Sequence, residues 1–173
     1  MHIAYTMAPG RGDTDLLLHQ VAQSIIRSGY RPAGTAQINT ERPDAGPCDM
    51  DVLVLPTGPT LRISQSLGRE ARGCRLDPEA LESAVGLVQA RLPESDCLIV
   101  NKFGKHEADG RGFRTVIGEA LAIELPVLVG LNALNAEAFM EFCGGLAKRI
   151  EPDAHDLERW LFSSIASKRD VAC

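Results

Sequence analysis

Apolar positions fall into two rhythms along the chain. Short runs rich in β-branched residues recur at His2–Thr6, Ala33–Ile38, Val52–Leu55, Leu61–Ser64, Cys97–Asn101 and Val127–Gly130. CLIV and VLVG, within two of them, are apolar throughout, as expected for strands covered on both faces. Between them the period lengthens to that of a helix. Thr14–Ser28 aligns Leu18, Val21, Ala22 and Ile25. Pro78–Arg91 aligns Leu81, Ala84, Val85 and Val88 and continues to Leu92, with Asp77 as cap and Pro78 in the first turn. Phe113–Ile123 aligns Phe113, Ile117, Ala120 and Leu121; Ala154–Ala166 aligns Leu157, Trp160, Leu161 and Ile165 behind Asp153 as cap.

Strands alternating with helices predict an α/β fold: a three-layer sandwich around a mainly parallel sheet. The alternation breaks between Ala33 and Ser64, where three strand-like runs have no helix between them. Pro56-Thr-Gly-Pro59 separates two of them as a turn, which predicts an antiparallel edge hairpin. Residues 65–76 and 102–112 are the longest irregular stretches, and such stretches tend to carry sites.

The chain has 173 residues, a length that predicts a single domain over 1–173. Its formal net charge of −5 offers no general attraction to nucleic acid or an anionic membrane. No apolar run approaches the roughly 20 residues of a membrane helix. Five scattered cysteines without a C-x-x-C pair give no support to a zinc or dithiol site. The odd count, together with a start that lacks signal-peptide character, leads us to expect a cytoplasmic protein.

The first junction between strand and helix carries the first candidate chemistry. Residues 7–14, MAPGRGDT, stand where a phosphate loop reads G-x-x-x-x-G-K-[ST]. Gly12 and Thr14 match, Met7 replaces the first glycine, and Asp13 replaces the lysine. Gly10, Arg11, Gly12, Asp13 and Thr14 are therefore candidate anion ligands, since N–H groups at a helix start can face an anion. A plainer reading is a tight turn with Asp13 or Thr14 as helix cap. The second junction has the reciprocal exchange. Where phosphate-loop enzymes end a buried strand in carboxylates, this chain reads Asn101-Lys102. Lys102 is expected to return a cation to the site, pairing with Asp13 or holding an anion. Lys105, Glu107 and Asp109 follow as candidates for catalysis or magnesium binding, and histidine chemistry adds His106. The alternative for this stretch is a solvated loop.

A third group lies in Arg62–Arg75. Arg62, Ser64, Ser66 and Arg69 offer guanidinium forks and hydroxyls suited to a tetrahedral oxyanion or a nucleotide phosphate. The alternative is a solvated arginine loop. In the last helix Trp160, Leu161 and Phe162 are consecutive and cannot all face one core. A homodimer contact is the sharper reading, a helix wedged between layers the plainer one.

The two junctions and the chain between them resemble the THEP-type nucleoside-triphosphatases, small phosphate-loop proteins of one α/β domain. The likeness covers residues 3–129: GYRPAG at 29–34 entering the second strand, LDPEAL at 76–81 opening a helix, DCLIVN followed by FGK at 96–105, and LPVL at 125–128. A bacterial family of unknown function, described as triphosphatase-like, is closer. Its signature resembles ISQSLG at 63–68, GCRLD at 73–77, NKFGKHEA at 101–108 and FCGG at 142–145. These resemblances imply a phosphate-loop topology and ATP or GTP as ligand. Members of the second family are often encoded near molybdate-uptake genes, which implies a link to molybdenum handling and makes molybdate a further candidate ligand. The chain departs from active triphosphatases at the Walker A lysine and the Walker B aspartate.

Three readings follow. The first is a degenerate phosphate-loop protein that binds a nucleotide phosphate or oxyanion without rapid hydrolysis. The second is a magnesium-dependent triphosphatase using displaced groups, Lys102 or Lys105 in place of the loop lysine and Glu107 or Asp109 in place of the carboxylates. The third is an interaction domain whose site is closed by Asp13. No resident metal is expected unless the protein hydrolyses.

Overall fold

The computed structural model describes residues 2–40, 48–65 and 75–171. Seven strands form one sheet: β1 (Ile3–Thr6), β2 (Pro32–Thr40), β3 (Asp49–Val54), β4 (Thr60–Arg62), β5 (Cys97–Phe103), β6 (Val127–Leu131) and β7 (Lys148–Arg149). Their order across the sheet is β4-β3-β2-β5-β6-β1-β7. The contacts β2–β5, β5–β6, β6–β1 and β1–β7 are parallel, whereas β2–β3 and β3–β4 are antiparallel. The expected hairpin at Pro56–Pro59 joins β3 to β4 at the sheet edge, and β3 itself also runs antiparallel to β2.

Helices cover both faces. On one side lie α1 (Asp13–Arg27) and α6 (Ala154–Val171); on the other lie α2 (Pro78–Gln89), α4 (Phe113–Ala122) and α5 (Ala136–Phe142). The stripe Leu18, Val21, Ala22 and Ile25 of α1 is fully buried with Leu157, Leu161 and Ile165 of α6. The stripe Leu81, Ala84, Val85 and Val88 of α2 faces Phe113, Val116, Ile117 and Ala120 of α4 across the second core. Asp77 caps α2 by accepting from the N–H groups of Glu79 and Ala80, at 3.0 and 3.2 Å. Asp153 accepts from Asp156 N–H at the start of α6. Of the consecutive residues in α6, Leu161 is buried, Trp160 is half-buried, and half-buried Phe162 packs on Tyr30 with centroids 5.6 Å apart.

Two helices and one strand escaped the sequence pattern. α3 (Lys105–Ala108) spans one turn within the stretch expected to be irregular, and α5 has seven residues. β7 has two exposed residues and exists only because β1 offers it an edge. Each is too short for its periodicity to be read.

One glycine sets the packing of two strands. Gly34 in β2 has φ +119°, and a Cβ there would lie 1.8 Å from the Ile99 carbonyl oxygen of β5. Only glycine permits this approach.

Candidate functional site

The β1–α1 turn is built on Gly12, which takes a left-handed conformation (φ 85°, ψ −9°) and is the N-cap of α1. This corrects the reading of Asp13 or Thr14 as cap. Glycine carries no steric penalty in that conformation, so the chain can turn sharply from strand into helix. Thr14 has a different task. Its Oγ1 accepts the Ala8 N–H at 3.0 Å and ties the loop's entrance to the helix. Asp13 is exposed and folds back over Gly10; a Cβ on Gly10 would meet Asp13 Oδ2 at 2.0 Å. The carboxylate accepts no hydrogen bond there among the described residues. The N–H groups of Gly10, Arg11, Gly12, Thr14 and Asp15 likewise have no acceptor among the described residues. Five backbone donors therefore stand unspent around one turn.

β5 delivers the second junction through an irregularity. Its register with β6 moves from Val100↔Val129 to Phe103↔Leu131, so β5 holds one residue more than its neighbour. Such a bulge re-aims side chains. Phe103 rejoins the face of Leu98 and Val100 and Lys102 is left exposed, while Asn101 keeps the α1 side that it shares by alternation with Cys97 and Ile99. Asn101 is 4% exposed. Its Nδ2 donates to Asp15 Oδ1 at 2.9 Å, and its Oδ1 accepts the Gln37 N–H at 3.0 Å. Gln37 Nε2 completes the network on Asp15 Oδ2 at 3.2 Å. The backbone donor and the carboxylate together dictate which way the Asn101 amide points.

The acidic partner of the second junction is thus Asp15, not Asp13. No ion pair joins Asp13 to Lys102 among the described residues. Relative to a phosphate-loop enzyme, the carboxylate stands on the helix and the amide on the strand. Asp15 and Gln37 were absent from the sequence reading. Their signal was a polar residue inside a strand read as apolar, opposite an acid in the first helical turn.

Among the remaining candidates, Glu107, Arg62 and Ser64 hold structural bonds. Glu107 is 3% exposed, and its two carboxylate oxygens accept from Gly104 N–H at 2.9 Å and Phe113 N–H at 3.2 Å. It holds the ends of the α3 segment together. Lys105 is exposed at the start of α3. Arg62 is bound to Asp49 and Asp51, both at 3.0 Å, and the Asp51 hydrogen bond followed by the two carboxylate charges raises its pKa above the ordinary guanidinium value. Ser64 accepts the Met50 N–H and donates to Asp49. Arg62 is therefore neutralised by carboxylates of the neighbouring strand β3; Ser66 and Arg69 lie outside the described residues.

Magnesium prefers oxygen ligands in near-octahedral geometry. Here Thr14 Oγ1, Asn101 Oδ1 and both Asp15 oxygens already accept protein N–H groups. Among the described residues no group of three or more His, Cys, Asp or Glu is placed to hold a metal. This donor set does not fit a resident magnesium ion.

A family model described as "Protein of unknown function (DUF2478)" matches residues 3–160. The chain belongs to this family. The DUF2478 chain is also similar to a molybdenum import ATP-binding protein, ModC 2, of Bradyrhizobium diazoefficiens, at 34% identity over 149 residues. The match takes in 86% of this chain and 17% of that relative, so the chain spans about a sixth of the longer protein. Among solved structures, the solution structure of a human cancer-related nucleoside triphosphatase superposes with a TM-score of 0.63 at 19% identity, covering 96% of each chain. That likeness establishes the phosphate-loop-type α/β fold. No described helix is long and apolar enough to cross a membrane.

Proposed function

We propose that the β1–α1 turn binds the phosphate of a nucleotide, or a free tetrahedral oxyanion such as molybdate, without rapid hydrolysis. The observation that carries this reading is the set of five unspent N–H groups at Gly10, Arg11, Gly12, Thr14 and Asp15. Backbone donors at a helix start bind anions through their own dipoles and need no lysine. The network of Asp15, Asn101 and Gln37 supports the second half of the proposal. It leaves no carboxylate free at the end of β5, while phosphoryl transfer relies on cations and metal-bound carboxylates around the transferred group. With both Glu107 oxygens spent on backbone, that residue offers no substitute carboxylate. Molybdate enters as a candidate through the name of the Bradyrhizobium relative.

Asp13 lies over the loop and repels an incoming anion. A unit charge at 4 Å contributes about 1 kcal/mol in water and about 4 kcal/mol at an effective dielectric near 20. Asp13→Asn is therefore expected to tighten binding at least fivefold, and Asp13→Lys more. The same placement of Asp13 favours a second reading, an interaction domain with the ancestral site covered.

Calorimetric titration with ATP, GTP, phosphate and molybdate separates the two. Saturable binding that strengthens in Asp13→Asn supports the anion site. No binding by either form leaves the interaction domain. Phosphate release with magnesium at rates typical of intact triphosphatases would overturn both.

A further inference from the structure

The groups that would hold a divalent metal beside the β1–α1 turn are bonded to one another. Asn101 commits its whole amide. Its Oδ1 accepts the Gln37 N–H at 3.0 Å, and its Nδ2 donates to Asp15 Oδ1 at 2.9 Å and to Gln37 Oε1 at 3.4 Å. Asp15 takes Gln37 Nε2 on its other oxygen at 3.2 Å. Thr14 Oγ1 accepts the Ala8 N–H at 3.0 Å. In phosphate-loop enzymes the loop hydroxyl and a strand carboxylate hold the magnesium that neutralises the outer phosphates. An amide nitrogen cannot take that role, because magnesium requires oxygen ligands.

Charge acts in the same direction. Asp13 and Asp15 put two carboxylates in the first turn of α1. The cations of the two junctions, Arg11 and Lys102, are both exposed, where solvent and salt screen their pull on an anion. Without a metal, each phosphate beyond the first adds negative charge that the turn does not offset. One tetrahedral group is a different case. The five N–H groups at Gly10, Arg11, Gly12, Thr14 and Asp15 suffice for its oxygens.

A buried hydroxyl points to a ligand at the same place. Thr6 ends β1 and is fully buried, and its Oγ1 is the only buried side-chain polar atom without a partner among the described residues. Strand alternation puts it on the α1 face with Ala4. Its neighbour in β6 is Gly130, and α1 lies over that position: a Cβ on Gly130 would meet Leu18 Cδ1 at 2.8 Å. The hydroxyl therefore lies beneath the start of α1, next to the turn. Native structures seldom bury such a group unpaired unless a water or ligand completes it. We propose, on the anion-binding reading of the β1–α1 turn, that the site takes a single tetrahedral anion free of divalent metal. The anion is a free oxyanion or the phosphate of a monoester, and the Thr6 hydroxyl is a positioning group beneath it. Di- and triphosphates are disfavoured with or without magnesium.

The test is calorimetric titration of the full chain with inorganic phosphate, adenosine 5′-monophosphate, pyrophosphate and ATP, each in EDTA and again with magnesium chloride at equal ionic strength. Phosphate or the monophosphate is expected to bind saturably, with magnesium changing the affinity less than about twofold. Tighter binding of phosphate assigns a free oxyanion, and tighter binding of the monophosphate assigns an ester. Pyrophosphate and ATP should bind about tenfold more weakly or worse, and magnesium should not restore them. Thr6→Val keeps the shape and removes the hydroxyl. It should weaken phosphate binding about threefold while the urea midpoint holds or rises. ATP binding as tightly as phosphate, in either condition, would overturn the single-anion assignment and leave the anion-binding reading standing. Unchanged affinity in Thr6→Val would overturn the part given to Thr6. No binding of any probe by the parent or by Asp13→Asn would overturn the anion-binding reading itself.

Discussion

Replacing Asn101 by Asp probes the exchange of carboxylate and amide between helix and strand. The variant puts a second carboxylate where Nδ2 now donates to Asp15 at 2.9 Å, at a residue 4% exposed. Losing a hydrogen bond to a charged acceptor costs about 1.5–3 kcal/mol. The two charges add a repulsion of about 4 kcal/mol at 4 Å and an effective dielectric near 20. Proton uptake limits the sum, because the pair relaxes by sharing a proton. A net loss of about 3–5 kcal/mol at pH 7 is expected, as for other buried pairs broken at one partner. The introduced carboxyl has a raised pKa in the folded state. The deficit is therefore full above that raised value and shrinks as pH falls through it. The double variant Asp15→Asn, Asn101→Asp reverses donor and acceptor and keeps the Gln37 N–H bond. It should return to within about 1 kcal/mol of the parent, a coupling typical of contacting residues. Urea denaturation of the four proteins at pH 7 and pH 5 measures both effects. A single variant costing under about 1 kcal/mol at pH 7, or a double variant no better than the sum of its parts, would refute the account of this network.

Three further outcomes follow from the geometry. Gly34→Ala drives a Cβ to 1.8 Å from the Ile99 carbonyl at φ +119°, and should cost about 3 kcal/mol or more. For a chain of this size that lowers the melting temperature by roughly 6–12 °C in calorimetry. Burial pushes the Glu82 carboxyl upward, but the His106 hydrogen bond, the Gly112 N–H and the charges of His106 and Arg111 outweigh it and hold the pKa below the usual value. The stability this contributes is present above the ordinary carboxylate range and is lost as pH falls through the lowered value. Glu82→Gln should flatten the acid limb of a stability–pH curve by about 1 kcal/mol or less, since the side chain is 47% exposed. Burial, helped by the Asp96 charge, raises the Cys97 thiol far above its usual pKa, whereas Cys48 is exposed. Iodoacetamide followed by peptide mapping should label Cys48 in the native protein and Cys97 only after unfolding.

Local pattern was enough for much of this fold. The buried faces of α1 and α2, the six longer strands, the Asp77 and Asp153 caps and the edge turn at Pro56–Pro59 all rest on short-range rules of period, capping and turn chemistry. These rules act within a few residues, so one chain suffices to read them. That residue 13 is an aspartate is likewise a fact of sequence. What Asn101 does was decided elsewhere. Its partners are 86 and 64 residues away, and they meet it because β2 and β5 are neighbours and strand alternation puts Asn101 on the α1 face with Cys97 and Ile99. Charge alone suggests pairing Asp13 with Lys102, but charge carries no direction; the extra residue in β5 leaves Lys102 exposed and gives Phe103 the interior face of Leu98 and Val100. The same holds for His106 and Glu82, on separate elements and 24 residues apart, which only the packing of α2 against the α3 segment brings to 2.8 Å.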